Sequence, residues 1–197
     1  MATLSKLFSN FGAGFAIILV LLPSCAYKLK STRRQLPGGY QKVAVPVFKN
    51  KTQEPGIEVS LTNALIQQFH RSQVTKLVDS NLAEVKAMGT IESLVFQAKD
   101  LKEGGAGSAA YLAKGVVLAS NYGVVMKVHI KLVRQSDQQI LWSGDFRGES
   151  SYPAPQVTLS TVNTVNPLYN LATRRQNIEG LALDLMTEAH NRMTESF

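Results

Sequence analysis

Residues 124–134 read Val-Val-Met-Lys-Val-His-Ile-Lys-Leu-Val-Arg, and their alternation decides the fold. Side chains of a strand point to opposite faces in turn, so Val124, Met126, Val128, Ile130 and Leu132 share one face, and Val125, Lys127, His129, Lys131 and Val133 share the other. The first set is wholly apolar and must face a core. The second places cationic groups two residues apart, about 7 Å along one side of the strand.

Outward from this strand, Gln135–Gln139 forms a polar turn and Ile140–Glu149, ILWSGDFRGE, reads as the antiparallel return strand. Trp142, the sole tryptophan, is assigned to the core, with an aromatic contact for a lipid or protein partner as the alternative. Upstream, Val85–Gln97 predicts another strand and Val116–Ala119 a short one. Between them lies Leu101–Ala110, LKEGGAGSAA, with three glycines in four residues. A phosphate loop would need a helix and a placed lysine after the glycines; a strand follows, so the run is read as a flexible hairpin loop.

Two helices complete the pattern. Ile57, Leu61, Leu65 and Phe69 recur every four residues, predicting a helix over about 56–71. Asn166-Pro167 opens the second, with asparagine as N-cap and proline where its missing N–H is harmless; the stripe Leu171, Ala172, Ile178, Leu181, Ala182, Leu185, Met186 and Ala189 carries it to about Met193. Val43–Phe48, VAVPVF, reads as a strand that Pro46 confines to an edge or a bulge. A short element is expected over 74–79, a loop over 50–56 and an extended surface loop over 150–166. The sum is an α+β fold, two helices packed on one face of a mixed, roughly four-stranded sheet, which leaves Lys127, His129 and Lys131 on an open face.

Composition limits function. With 197 residues, 45% hydrophobic and 18% charged, the chain buries one core. One cysteine excludes an intramolecular disulfide and a cysteine-rich zinc site. His70, His129 and His190 form no local metal motif, and no nucleophile–base or paired-carboxylate pattern marks an enzyme. Residues 26–53 carry Lys28, Lys30, Arg33, Arg34, Lys42, Lys49 and Lys51 with no acidic residue, so the net charge of +7 sits in this segment while the remainder is nearly neutral. That distribution argues against nucleic-acid binding and leaves two readings of the segment, a solvated linker or an electrostatic hold on an anionic bilayer.

The apolar run Phe11–Leu22 would rise only about 18 Å as a helix, short of the roughly 30 Å of a bilayer core, and fits a signal peptide better than a span. Leu22-Pro23-Ser24-Cys25 follows it and resembles a bacterial lipobox. The resemblance implies cleavage after residue 24 and acylation of Cys25 with a diacylglycerol and an N-acyl chain, and Ala26 points to the outer membrane. A core cysteine behind an ordinary cleavable signal is the alternative. The organisation expected is a signal peptide over 1–24, a lipidated basic tether over 25–39 and one domain over 40–197.

Pro46-Val47-Phe48-Lys49-Asn50-Lys51-Thr52, then Pro55-Gly56-Ile57-Glu58 and Leu61-Thr62-Asn63-Ala64-Leu65, together with the strand beginning GTIES and the segment ILWSGDF, resemble the LptE family of lipopolysaccharide-assembly lipoproteins. The resemblance implies a lipid-anchored outer-membrane protein with its body on the periplasmic side, which plugs the LptD barrel, assists its assembly, helps deliver lipopolysaccharide to the outer leaflet, and needs no cofactor beyond the lipid on Cys25. Phosphates of that lipid suit Lys and Arg. By placement the candidates are Lys127, Lys131, Arg134, Arg147, Lys102 and Lys114, each with a solvated surface charge as its alternative. An outer-membrane lipoprotein that activates a peptidoglycan synthase or serves a curli-type secretion system is the second functional reading, since such domains also open with a strand, an Asn-containing loop and a helix.

Overall fold

The protein is described by a computed structural model that covers residues 34–105, 113–154 and 167–195. The expected signal peptide, Cys25, residues 106–112 and most of the predicted 150–166 loop, with the Asn166 cap, lie outside the described residues. The elements are β1 (Lys42–Ala44), β2 (Lys49–Asn50), α1 (Ile57–Ser72), β3 (Lys76–Leu77), β4 (Val85–Glu103), β5 (Val117–Arg134), β6 (Ile140–Pro153) and α2 (Pro167–Thr194).

One sheet holds every strand in the order β3-β1-β4-β5-β6, with β2 also on β4. β1 and β2 run parallel to β4, β3 runs parallel to β1, and β4, β5 and β6 form an antiparallel meander. The fold is α+β, as the alternation and the two helical stripes require. Six strands replace the expected four for two reasons. Pro46 has no N–H to give the ladder, so the predicted 43–48 strand splits into β1 and β2. Residues 76–77 add a short strand at the edge.

Between β1 and β2 the chain serves the core instead of the ladder. The Phe48 backbone N–H donates to Thr62 Oγ1 at 3.0 Å, and the Phe48 ring lies over Gly89, where an added Cβ would stand 2.2 Å from the ring. Glycine is required there because a side chain would occupy the space the ring fills. Asn50 then organises the next loop: its Nδ2 donates to the Glu54 carbonyl at 2.7 Å and to the Glu58 carboxylate at 2.9 Å, while its Oδ1 accepts from the Thr52 N–H and hydroxyl. Glu58, in the first turn of α1, also accepts from the Gly56 N–H. Its own backbone N–H, the Asn50 amide and the Gly56 N–H together hold its carboxyl below the usual carboxylate range against the opposing effect of burial.

The apolar face of β5 is fully covered: Val124, Met126, Val128, Ile130 and Leu132 are 0–1% exposed. Against them pack Ile57, Leu61, Leu65 and Phe69 from α1 and Ile178, Leu181, Leu185, Met186 and Met193 from α2. Each fully buried side chain of this size contributes about 1.5–3 kcal/mol of apolar transfer. α2 comes close to β6 because Gly148 offers no Cβ, which would meet Leu181 at 2.6 Å. Trp142 is partly buried against the core, 6.1 Å from the Phe146 ring.

Three boundaries differ from the sequence reading. The segments expected as a long loop and a separate strand over 101–121 largely form one hairpin, with β4 reaching Glu103 and β5 beginning at Val117. β6 continues to Pro153 instead of stopping at Glu149. Past the helices the hairpin pairs backbone with backbone while its side chains meet solvent, so hydrophobic periodicity carries no signal there. Residues 34–39, read as the end of a tether, pack onto the body: Leu36 is 1% exposed, and Arg34 Nη1 donates to Asn191 Oδ1 at 3.2 Å.

Candidate functional site: the open face of the sheet

Both helices cover one face of the sheet; on the other, Lys127 is exposed, His129 and Lys131 are half-buried and Val133 is buried. Register turns strand positions into a surface. Lys127 stands opposite Ser93 on β4 and Arg147 on β6. His129 stands opposite Thr90 and Asp145, and Lys131 opposite Met88 and Ser143. Glu92 is the extra residue of a bulge in β4, between Ile91 and Ser93, which shifts the core-facing positions from Val85, Ala87 and Ile91 before it to Leu94 and Phe96 after it.

Partners sort these charges. Arg147 pairs with Glu149 two residues on, His129 Nδ1 lies 2.7 Å from Asp145 Oδ1, and Glu92 is held by Lys51 Nζ at 2.6 Å. Lys127 and Lys131 have no hydrogen-bond or ion-pair partner among the described residues. A shallow cavity of about 330 Å³ opens between Glu92, Lys127, Val128, Asp145, Phe146 and Arg147. Lys127 and Lys131 are four strand residues apart, about 13 Å, and Lys127 and Arg147 are cross-strand neighbours about 5 Å apart at Cβ. An ammonium offers three donors on a flexible stem and a guanidinium offers a planar fork, so the patch suits an extended ligand with more than one phosphate.

The other candidates lie elsewhere. Arg134 is committed to the β5–β6 end: its Nε donates to Tyr40 Oη at 2.6 Å, Nη1 donates to Asp137 at 2.8 Å, and the guanidinium sits 5.8 Å from the Tyr40 ring centroid. Lys102 is nine residues beyond Ser93 on β4, about 30 Å from the Lys127 row. Lys114 lies beside Gly105 at the far end of the same hairpin. The structure therefore unites Lys127, Lys131 and Arg147 and separates Arg134, Lys102 and Lys114 from them.

Register also adds cations that reading β5 alone overlooks. Lys49 is opposite Thr90 and Lys86 opposite Val133, on the same face. Lys99 lies opposite Asn121, its stem laid across Gly123, where an added Cβ would stand 2.5 Å from Lys99 Cε. Alternation within 85–91, where every second residue from Val85 to Ile91 is buried or glycine, carries the signal for Lys86, whereas Lys99 reaches this face only through the bulge at Glu92.

The family model described as "LptE: Lipopolysaccharide-assembly" matches residues 40–195, most of the chain. The chain belongs to the LptE family. Membership agrees with the fold and gives the cationic face a context in lipopolysaccharide assembly. Among solved structures, lipoprotein B from Nitrosomonas europaea is 14% identical, with 85% of this chain and 90% of that one covered at a TM-score of 0.45. A minor lipoprotein from Acinetobacter baumannii is 13% identical over 79% and 91%, TM-score 0.41. The PelC dodecamer subunit from Paraburkholderia phytofirmans is 14% identical over 79% and 89%, TM-score 0.44. Likenesses of this size say nothing of function. No curated protein matches the chain significantly.

Proposed function

We propose that this LptE-family chain is an outer-membrane lipoprotein, anchored by acyl chains on Cys25, that partners and plugs the LptD barrel, assists its assembly and helps deliver lipopolysaccharide to the outer leaflet. The observation that carries the reading is the uncovered face bearing Lys127, Lys131 and Arg147 within one family-wide domain. Phosphates of the lipid A region are the groups these side chains would hold through charge-assisted hydrogen bonds. The role is one of binding and needs no catalysis. Because the lumen of an outer-membrane barrel is polar, a plug can keep such a face without a large apolar patch. The β4–β5 hairpin extends past the end of β6, where Asn121 pairs with Pro153, and is the element we assign to the barrel wall. The family match favours this reading over a peptidoglycan-synthase activator or a curli-type component.

Purification of the full chain with Cys25 intact from its native envelope, after gentle solubilisation and with mass spectrometry of what accompanies it, tests the partnership. A stoichiometric barrel of LptD size is expected. A peptidoglycan synthase, or no barrel, would contradict it.

A further inference from the structure

A second cavity lies away from the sheet face. It encloses about 620 Å³ where the chain enters the folded body, and Arg34, Tyr40, Gln41, Gln73, Thr75 and Lys76 are among its lining residues. No acidic side chain lines it. Thr75 lines the cavity beside Lys76. Lys76 has no ion-pair partner among the described residues. Among the described residues the Arg34 guanidinium donates to the neutral Asn191 side chain. The nearby end of α1 would repel an anion through its free carbonyls. Two of those are already occupied: Phe69 O accepts from Gln73 N–H and Ser72 Oγ, and His70 O accepts from Gln73 Nε2.

We infer that the cavity lined by Arg34 and Lys76 binds a phosphate group, as the headgroup phosphodiester of an anionic glycerophospholipid or as free phosphate. The lipid source follows from chain length and rests on the reading that Cys25 is acylated. Arg34 is the ninth residue after Cys25, and a fully extended chain of that length spans about 30 Å at most. A lipidated Cys25 therefore keeps this cavity within reach of the bilayer surface, where a bound headgroup would fix the tilt of the body. The phosphate site itself does not need the acyl chains.

The test uses the full chain in a neutral detergent, labelled with ¹⁵N, titrated in separate arms with inorganic phosphate, soluble dihexanoyl phosphatidylglycerol and zwitterionic dihexanoyl phosphatidylcholine. Saturable shifts of the Thr75 and Lys76 amides by the phosphatidylglycerol, with weaker ones by the phosphatidylcholine, are expected. Shifts by inorganic phosphate alone would reassign the source to the free ion and overturn the lipid part. The double charge reversal Arg34→Glu, Lys76→Glu should weaken the phosphatidylglycerol response about tenfold or more, at about 1 kcal/mol per basic residue near an anionic lipid. The charge-matched Lys127→Glu, Lys131→Glu chain should leave that response unchanged and keep a wild-type amide spectrum elsewhere. Equal loss in both variants would show diffuse attraction and overturn the site, as would the absence of any saturable shift. Because the sheet-face variant is part of the same series, failure here does not touch the lipopolysaccharide reading, and failure of that reading does not touch this one.

Discussion

His190 Nε2 lies 2.8 Å from Ser72 Oγ, joining the last turns of the two helices, and the imidazole also packs edge-on against Phe69 with ring centroids 5.0 Å apart. At 2% exposure the ring is favoured neutral: burial first, then the Arg34 charge, pushes its pKa below the ordinary 6.5. A depressed folded pKa means that the unfolded chain takes up the proton first as pH falls. Stability contributed by neutral His190 is thus complete above about pH 6.5 and declines below it toward the lower folded value. Melting midpoints from pH 7.5 to 5 should fall for the native chain, and His190→Gln should flatten that slope while lowering the plateau. This window lies above the range in which Glu58 and Glu84, both held below the usual carboxylate value, begin to protonate.

The Phe48–Gly89 contact predicts a second result. Gly89→Ala must displace the ring from the β4 backbone and should cost about 1–3 kcal/mol, read as a lower urea midpoint at unchanged slope. Phe48→Leu in the same chain should return part of the loss, because the two sites share one space.

Arg174 reaches from α2 to the sheet, its guanidinium 4.0 Å from the Phe96 ring centroid and paired with Glu54. Its Nε is buried without a partner, so the residue acts by stacking and stem packing as well as by charge. Arg174→Ala should destabilise by about 1–2 kcal/mol in urea unfolding, and Arg174→Met by clearly less.

How far these features could be read in advance depends on what fixes them. The two faces of β5 were legible because the core demands an apolar residue at every second position from Val124 to Leu132. The helix stripes were legible for the same reason, except that Leu171 and Ala172, counted in the buried stripe of α2, are exposed, the first at 58%. Register was not: that Lys49, Lys86 and Lys99 join Lys127 on one face depends on which strand pairs with which. That Tyr40 engages Arg134 was not legible, because the two are 94 residues apart, and the Ser72–His190 pair spans 118. The extent of the β4–β5 hairpin was hidden because exposed strands need no hydrophobic period.

Charge on the open face should matter for ligand and not for folding. Lys127→Glu, Lys131→Glu removes two cations without ion-pair partners among the described residues, so its urea midpoint should stay within about 0.5 kcal/mol of native. Its affinity for purified lipopolysaccharide should drop about tenfold or more, at about 1 kcal/mol per basic residue at an anionic lipid. Arg134→Ala, which breaks the Tyr40 and Asp137 contacts, should show the opposite profile, a stability loss with affinity retained.

The most direct test of the binding face is photocrosslinking in the native envelope, with a photoreactive amino acid placed at Lys127 in one strain and at Asn63, exposed on α1, in another. The account predicts a lipopolysaccharide adduct from position 127 and none from position 63. Equal adducts from both positions, or an adduct from the helix side alone, would contradict it.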